Sequence, residues 1–244
     1  MKIKQLTFLL SLTFLFLFSG SVYGQEEPEA RRSYWGNGKL KVETHYLNKK
    51  KQGSAIMWYE NGNKQREALF NNDKREGLTT SWYESGEKWG EAYYENGIQQ
   101  GLATLWYESG KKKTEINYKD GKPDGISNQW YESGVKERKA YYKKGKMDGI
   151  GMEWYKSGRK KVESHYKNGT PDGLGTTWYE SGKLQSNLNY KNGKPDGLIT
   201  VWYESGGKME ERHYKNGMMN GLKTKWDKDG KKTYERMFQD GIEQ

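Results

Sequence analysis

The chain has 244 residues and a formal net charge of +10, with 30% charged, 32% apolar and 14% aromatic residues. The small apolar fraction excludes an ordinary globular domain with one large core, and the aromatic fraction excludes a disordered chain, because disordered segments contain few aromatics. The sequence contains no cysteine, which excludes disulfides, thiol catalysis and cysteine-ligated metal sites.

Residues 1–24 predict a secretory signal peptide. Two lysines precede an uncharged apolar run over residues 6–18, and small residues lead to a cleavage site between Gly24 and Gln25. An uncleaved membrane anchor is the alternative, but this run is shorter than the roughly 20 residues that span a bilayer as a helix. We therefore expect an exported protein, located in the periplasm, in the outer cell envelope or outside the cell. A basic protein there meets anionic lipid, polysaccharide or acidic protein more often than nucleic acid.

Residues 25–33 are charged and lack periodicity, which predicts a mobile leader. From residue 34 to residue 244 the chain repeats with a period of 24 residues, in nine units of which the last is truncated. We number the positions of each unit from 0 to +23. Such a fixed period predicts a stacked array of repeats. Position 0 is occupied by Tyr34, Trp58, Trp82, Trp106, Trp130, Trp154, Trp178, Trp202 and Trp226.

Glycines predict two turns in each unit. Glycine occupies position +4 in all nine units, position +15 in seven and position +19 in eight. At the first turn, Asn61-Gly62 predicts a tight hairpin turn, whereas Ser-Gly in other units suits a turn closed by a glycine bulge. The second turn is predicted to be longer, as in residues 192–197, where Pro195 sets φ and Asp196-Gly197 completes the turn.

Alternating residues between the turns predict strands. Leu198, Thr200 and Trp202 would project to one face and the intervening residues to the other. We expect an all-β fold, an elongated single-sheet array of stacked antiparallel β-hairpins with about 17 or 18 short strands. The tryptophans are predicted to be structural, stacking with leucines against an aromatic at position +12 of the partner strand. That row is Tyr46, Phe70, Tyr94, Tyr118, Tyr142, Tyr166, Tyr190, Tyr214 and Phe238.

The stretch from Tyr190 to Gly206 carries a family resemblance. It contains an aromatic, an Asn-Gly turn, a second glycine, a short strand ending in an aromatic, and a closing glycine. This pattern resembles the MORN repeat, in particular its bacterial variant, over residues 34–244. The units differ from many MORN repeats in carrying a polar residue instead of His before the +19 glycine, and in a slightly longer spacing.

The resemblance implies a hairpin array that binds proteins or membrane surfaces, and some bacterial relatives are labelled as toxin–antitoxin antitoxins. We expect an exported, non-enzymatic scaffold that binds a protein or an envelope component through an extended β surface. One alternative is an antitoxin or immunity-like protein. The other is a module for cell-wall glycan or anionic lipid, since the hairpins are similar to choline-binding repeats but lack their adjacent Gly-Trp pairs. A homodimer formed by edge or face pairing remains open.

No catalytic, cofactor or metal site is predicted. His45, His165 and His213 all occupy position +11, about 50 and 20 Å apart in such an array, too far to share a metal ion. The glutamates recur in rows at positions +2 and +9, so equivalent carboxylates share one environment, whereas an acid–base pair needs two. Cross-strand pairing of the +9 glutamates with lysines at +6 explains that row. The aspartates Asp124, Asp148, Asp172 and Asp196 suit ordinary turns better than calcium loops.

One row of lysines is a candidate binding site. Position +13 holds a basic residue in five consecutive units, spaced about one Debye length apart, which could bind an acidic partner, a polysaccharide or lipid head groups. A solubilising edge beside a turn is the alternative. Irregular units are further candidates for partner choice, namely those with Trp89 and with Arg138-Lys139. The row is Lys119, Lys143, Lys167, Lys191 and Lys215.

Overall fold

The computed structural model describes residues 27–244, so the predicted signal peptide lies outside the described residues. This part of the chain consists of strands and turns without a helix. No helix among these residues is therefore long and apolar enough to cross a membrane.

The structure contains 22 strands in one sheet. In chain order they are β1 Glu29–Tyr34, β2 Leu40–Leu47, β3 Lys50–Trp58, β4 Lys64–Asn71, β5 Lys74–Arg75, β6 Gly77–Trp82, β7 Lys88–Glu95, β8 Ile98–Trp106, β9 Lys112–Lys119, β10 Lys122–Trp130, β11 Lys136–Lys143, β12 Lys146–Met147, β13 Gly149–Trp154, β14 Lys160–Lys167, β15 Thr170–Trp178, β16 Leu184–Lys191, β17 Lys194–Pro195, β18 Gly197–Trp202, β19 Lys208–Lys215, β20 Met218–Trp226, β21 Lys232–Gln239 and β22 Ile242–Glu243.

Successive strands pair antiparallel, so the sheet is an up-and-down meander. Within residues 27–244 the first and last strands do not pair, and the sheet is open. This confirms the predicted all-β hairpin array. The number of strands exceeds the predicted 17 or 18 partly because β5, β12 and β17 are separated by one residue from the strands that follow them.

The prediction of a mobile leader over residues 25–33 is wrong for residues 29–33. Residues 29–33 are not a mobile leader but belong to β1, which pairs antiparallel with β2. Position 0 ends an incoming strand in every unit, so the residues before Tyr34 complete the same hairpin. Arg32 Nε lies 2.5 Å from Glu43 Oε2, and the Arg31 guanidinium lies 4.6 Å from the centre of the Tyr46 ring. A charged sequence is compatible with this position, because edge strands face water.

The turn near position +4 contains a glycine bulge in all nine units, whether the residue before the glycine is Asn, Ser or Asp. Tyr59 N–H donates to Asn63 O and Gly62 N–H donates to Tyr59 O, both at 2.9 Å, and Gly62 has a φ of +99°. This is a three-residue loop closed by a glycine in the left-handed region. The bulge predicted for Ser-Gly units is confirmed, and Asn61-Gly62, predicted as a hairpin turn, forms the same bulged turn.

The turn near position +15 is the tight one. Asn192 and Gly193 have φ values of +51° and +80°, and Lys191 already pairs with Lys194. Two successive positive φ values define a type I′ turn, for which Asn-Gly is the preferred dipeptide. The predicted long turn over residues 192–197 is wrong, because Pro195 lies in a strand opposite Tyr190. Lys191 and Lys194 form the hydrogen-bonded pair that closes the hairpin. The next pair, Tyr190 and Pro195, is of the non-hydrogen-bonded kind, so the missing N–H of Pro195 removes no bond to Tyr190.

A bulge at the +19 glycine interrupts the strand that leads to each tryptophan. Opposite Asn117 lie three residues, Asp124, Gly125 and Ile126, and Gly125 has a φ of +109°. Because two residues are extra, the alternation of faces is preserved beyond the bulge. The Asp-Gly residues at +18 and +19, which the sequence predicts to complete the second turn, thus lie at a bulge between paired parts of the strands.

The two faces of the sheet carry different aromatics. One face, here called the tryptophan face, bears positions 0, +6, +9, +11, +20 and +22. The other, the tyrosine face, bears +8, +10, +12, +17, +21 and +23, and all four buried apolar residues lie there: Ala68, Ala140, Ile199 and Phe238. The predicted stacking of tryptophan and leucine against the +12 aromatic is therefore wrong. The one-residue bulge at +7 places the +12 aromatic on the face opposite position 0, and leucines such as Leu78 remain 49% exposed.

Candidate functional site

A ladder of tyrosines at position +1 links neighbouring units. Each hydroxyl donates to the carbonyl oxygen of the next tryptophan, 24 residues after its own, at 2.7 to 2.9 Å. This row was not predicted from the sequence, although a tyrosine follows the tryptophan in seven consecutive units. Burial, assisted by nearby carboxylates, raises the pKa of Tyr83, Tyr107 and Tyr131. The row is Tyr59, Tyr83, Tyr107, Tyr131, Tyr155, Tyr179 and Tyr203.

The half-buried tryptophans contact lysines of the preceding unit. Lys64 Nζ lies 5.7 Å from the centre of the Trp82 ring and 2.7 Å from Glu67 Oε2. The predicted pairing of +6 lysines with +9 glutamates is present, but within one strand and not across strands. In a regular strand, residues three apart face opposite sides, and the bulge at position +7 brings them to the same face. Units containing Lys88, Lys160 and Lys208 have the same arrangement.

The three histidines each bond to the +19 bulge. The Nδ1 atoms of His45, His165 and His213 lie 2.9 to 3.1 Å from the carbonyl oxygens at position +20. Asn117 makes the equivalent bond at 3.2 Å. In residues 27–244 no three His, Asp or Glu side chains form a group that could hold a metal ion. The histidines therefore make the same hydrogen bond to the +20 carbonyl oxygen as an asparagine at this position.

Aspartates before the +19 glycine connect successive turns. Asp124 Oδ2 accepts from the Lys144 N–H at 3.0 Å, and Asp148 Oδ2 accepts from the Asn168 N–H at 3.1 Å. Each carboxylate therefore binds the turn of the next unit. Turn chemistry explains these residues, as the sequence predicted, but across units instead of within one turn.

The predicted lysine stripe lies directly before the type I′ turns and is doubled by lysines across the hairpin. Lys119 pairs in register with Lys122, Lys143 with Lys146, and Lys191 with Lys194. We call this set the basic edge, and its lysines are all exposed. The +16 lysines were not predicted to join this row, because the expected long turn separated positions +13 and +16. The basic edge is Lys119, Lys122, Lys143, Lys146, Lys167, Lys191, Lys194 and Lys215.

The basic edge is not neutralised by the protein itself. No lysine of this set has a carboxylate within 4.0 Å among residues 27–244. Like charges directly opposite each other destabilise a sheet. The arrangement therefore opposes folding stability, unlike the paired lysines of the tryptophan face.

Neighbouring turns hold the basic edge in a fixed row. Gly145 N–H donates to Pro123 O at 2.7 Å and Gly217 N–H to Pro195 O at 2.8 Å. The stem of Lys194 lies against Gly217, where an added Cβ would come within 3.3 Å of it. The opposite edge instead carries the +2 glutamates, Glu60, Glu84, Glu108, Glu132, Glu180 and Glu204.

The irregular residues are divided between the two faces: Trp89 borders the tyrosine face, Arg138 at +8 lies on it, and Lys139 at +9 lies on the tryptophan face. Trp89 is 41% exposed and borders a pocket of about 250 Å³. Arg138 Nε lies 3.8 Å from Glu153 Oε1, and Lys139 Nζ lies 4.9 Å from the centre of the Tyr141 ring. Arg138 is thus paired with a carboxylate, whereas Lys139 contacts an aromatic ring.

Comparison with known proteins identifies the repeat. The family model for the MORN repeat variant matches eight consecutive segments, residues 30–48, 51–72, 75–96, 99–120, 123–144, 147–168, 171–192 and 195–216. No curated protein matches the chain. The first matched segment begins in β1, which agrees with the correction to the leader. MORN repeats are generally modules that bind proteins or membrane lipids. Because these segments cover most of the chain, the protein belongs to the MORN repeat family, in its variant-repeat form.

Proposed function

We propose that this protein is an exported, non-enzymatic scaffold that binds an acidic protein or anionic polymer of the cell envelope through its basic edge. The observation that carries the proposal is the set of lysines that face each other across three hairpins without carboxylate partners. Such a row raises the positive potential along one side of the array and attracts an extended anionic partner. The repeat supplies the geometry, since successive units are roughly 10 Å apart.

The other lysines serve as an internal comparison. Those at position +6 lie 2.5 to 2.8 Å from glutamates in five units, and four of these five lysines also lie over tryptophan rings. Their charge is matched locally and contributes little attraction at a distance. The five +13 lysines differ from the +6 lysines in two ways: they lie at the ends of the strands before the tight turns, and they have no carboxylate partner among the described residues. Export is part of the proposal, since residues 1–24 carry the signal-peptide pattern.

A charge-reversal experiment tests the basic edge. Lys143, Lys167 and Lys191 are changed together to Glu, and binding to purified envelope fractions and to polyglutamate is measured over a range of salt concentrations. We expect affinity to fall by about ten-fold or more, because three attractive contacts become repulsive, and the salt dependence to weaken. Thermal unfolding checks that the variant remains folded.

The matched control changes the same net charge at the opposite edge. Lys111, Lys183 and Lys231 are exposed near the +4 turns, and their replacement by Glu should alter binding about two-fold or less. Equal losses in both triple variants would mean that net charge alone drives binding. Unchanged binding in the first variant would rule out the basic edge.

The antitoxin alternative has no specific observation in its favour and stays a prediction. A toxic gene product that this chain neutralises would support it. Cell fractionation tests export, because intact protein with residues 1–24 in the cytosol would contradict it.

A further inference from the structure

A pocket on the tyrosine face marks the place where the repeat is most irregular. Its volume is about 250 Å³, and it opens between β6, β7, β8 and β9. Arg66, Arg75, Trp89, Tyr94 and Tyr118 border it, together with the hydroxyl groups of Thr79 and Ser81. It is separate from the basic edge, which lies at the turns on the opposite face.

Small residues create this pocket. Position +8 is Gly90, and Ala92 and Ala103 follow at positions +10 and +21. Gly90 is the only glycine at position +8 in the nine units, whereas residues as small as Ala92 and Ala103 also occur elsewhere, as Ala140 at +10 and Gly151 at +21. The missing side chain at position +8 is therefore what distinguishes this unit.

Both arginines of the pocket lack acidic partners. Arg66 Nε donates to Ser81 Oγ at 3.2 Å, and the Arg75 guanidinium lies 5.1 Å from the centre of the Tyr94 ring. Neither has a carboxylate within 4.0 Å among residues 27–244. Glu91 also borders the pocket, but its carboxylate lies 2.5 Å from Lys88 Nζ.

Other arginines on the same face are compensated. Arg138, which occupies the same +8 position as Arg66, lies 3.8 Å from Glu153, and Arg212 lies 3.6 Å from Glu210. Two uncompensated guanidinium groups beside one pocket are therefore specific to this unit. Guanidinium groups bind carboxylates in a planar, two-bond geometry.

We infer that this pocket binds one acidic sugar unit, of the uronic acid type, within a polysaccharide. The carboxylate would bind Arg66 and Arg75, and the apolar face of the ring would lie on the exposed Trp89 indole. Ser81 and Thr79 supply hydroxyl groups suited to sugar hydroxyls, and the buried Thr79 oxygen has no hydrogen-bond partner among the described residues. An aromatic surface together with hydroxyls and guanidinium groups fits an acidic sugar better than a carboxylate side chain, which offers no ring or hydroxyls.

The test is a titration of the purified full-length protein with trigalacturonic acid, followed by calorimetry. Maltotriose provides the neutral sugar and triglutamate the acidic peptide. We expect trigalacturonate to bind more tightly than triglutamate, which the basic edge also attracts, and maltotriose not to bind; affinity for trigalacturonate should fall as salt rises. Replacement of Arg66 and Arg75 by Gln should weaken it about ten-fold or more, whereas Arg138→Gln should change it about two-fold or less.

Two further variants separate loss of binding from loss of folding. Trp89→Ala removes an exposed ring and should weaken binding about ten-fold. Ala103→Ile fills the pocket with the side chain that position +21 already carries at Ile199, and should abolish binding while the thermal unfolding midpoint is retained.

Several outcomes would overturn the inference. These are no binding of trigalacturonate, equal binding of maltotriose, tighter binding of triglutamate, or equal effects of Arg66 and Arg138 substitutions. The basic-edge proposal is independent, because the Lys143, Lys167 and Lys191 variant keeps the pocket intact and should bind trigalacturonate as the natural protein does.

Discussion

Many side chains in this array contact the next unit. The +1 tyrosines bond to the following tryptophan carbonyl, and the +18 carboxylates bond to the following turn. A single-layer sheet has little core to bury, so hydrogen bonds between units provide much of the specificity of stacking.

At the residue scale, the tyrosine ladder predicts loss of stability in base. The pKa values of Tyr83, Tyr107 and Tyr131 are raised in the folded protein, mainly by burial. The neutral hydroxyls therefore contribute stability that is fully present below the unfolded pKa of about 10 and is lost as pH rises through the folded pKa. Thermal unfolding from pH 8 to 11.5 should show this fall.

The control for this prediction replaces the three tyrosines with Phe. The triple variant should be less stable at pH 8, because the backbone carbonyl oxygens of three tryptophans lose their tyrosine donor. Its stability should also depend less on pH above 10. An unchanged pH profile in the variant would assign the base sensitivity to the other tyrosines.

At the scale of the element, backbone conformation decides how well each hairpin closes. The type I′ turn needs positive φ at both central residues, and glycine adopts it with the least strain. Two units lack glycine there, with Lys49 at a φ of +66° and Asp73 at +68°.

Lys49→Gly should therefore stabilise the protein by about 1 kcal/mol, because the left-handed conformation costs a non-glycine residue about that much. Denaturant unfolding measures the change. Asp73→Gly is the matched comparison and should gain less, since Asp73 Oδ1 accepts from the Lys51 N–H at 2.8 Å. Destabilisation by Lys49→Gly would show that the turn is not under strain.

At the scale of the whole molecule, each unit contacts only its neighbours in the meander, and the units have the same length. Stability of such an array is close to a sum of unit and interface terms. Removal of one unit of 24 residues should therefore leave the pairing register of the remaining strands unchanged.

Deletion of residues 155–178, which joins Trp154 to Tyr179, should give a folded protein with one hairpin fewer. We expect the thermal midpoint to fall by about 2–4 °C. Deletion of residues 155–166 removes only half a period, one turn and most of β14, so every later strand would have to reverse its direction in the sheet and equivalent positions would no longer align. The product should therefore not unfold cooperatively. Circular dichroism during heating distinguishes the two. Similar behaviour of both deletions would contradict nearest-neighbour stacking.

The period, the hairpins and the positions of the turns could all be predicted from the sequence, because glycines and aromatics recur at fixed spacing. The form of the turns could not. Asn-Gly and Ser-Gly suggest turn types only from local preference, and the structure assigns the tight turn to Asn192-Gly193 and the bulged turn to Asn61-Gly62.

For the candidate sites, the +13 lysines were found from the sequence, whereas their partners at +16 and the pocket near Trp89 were not. A lysine pair such as Lys143 and Lys146 is defined by cross-strand register, which depends on turn length. The pocket depends on residues up to 52 positions apart, from Arg66 to Tyr118.

By itself, the sequence determined that the chain is a β-hairpin repeat with a regular row of aromatics, since composition and period follow from local chemistry. Tertiary structure decided which rows share a face, because the one-residue bulge at +7 shifts the alternation that a strand pattern assumes. It also decided which charges remain without partners, because ion pairs form between side chains that only register and bulges bring together.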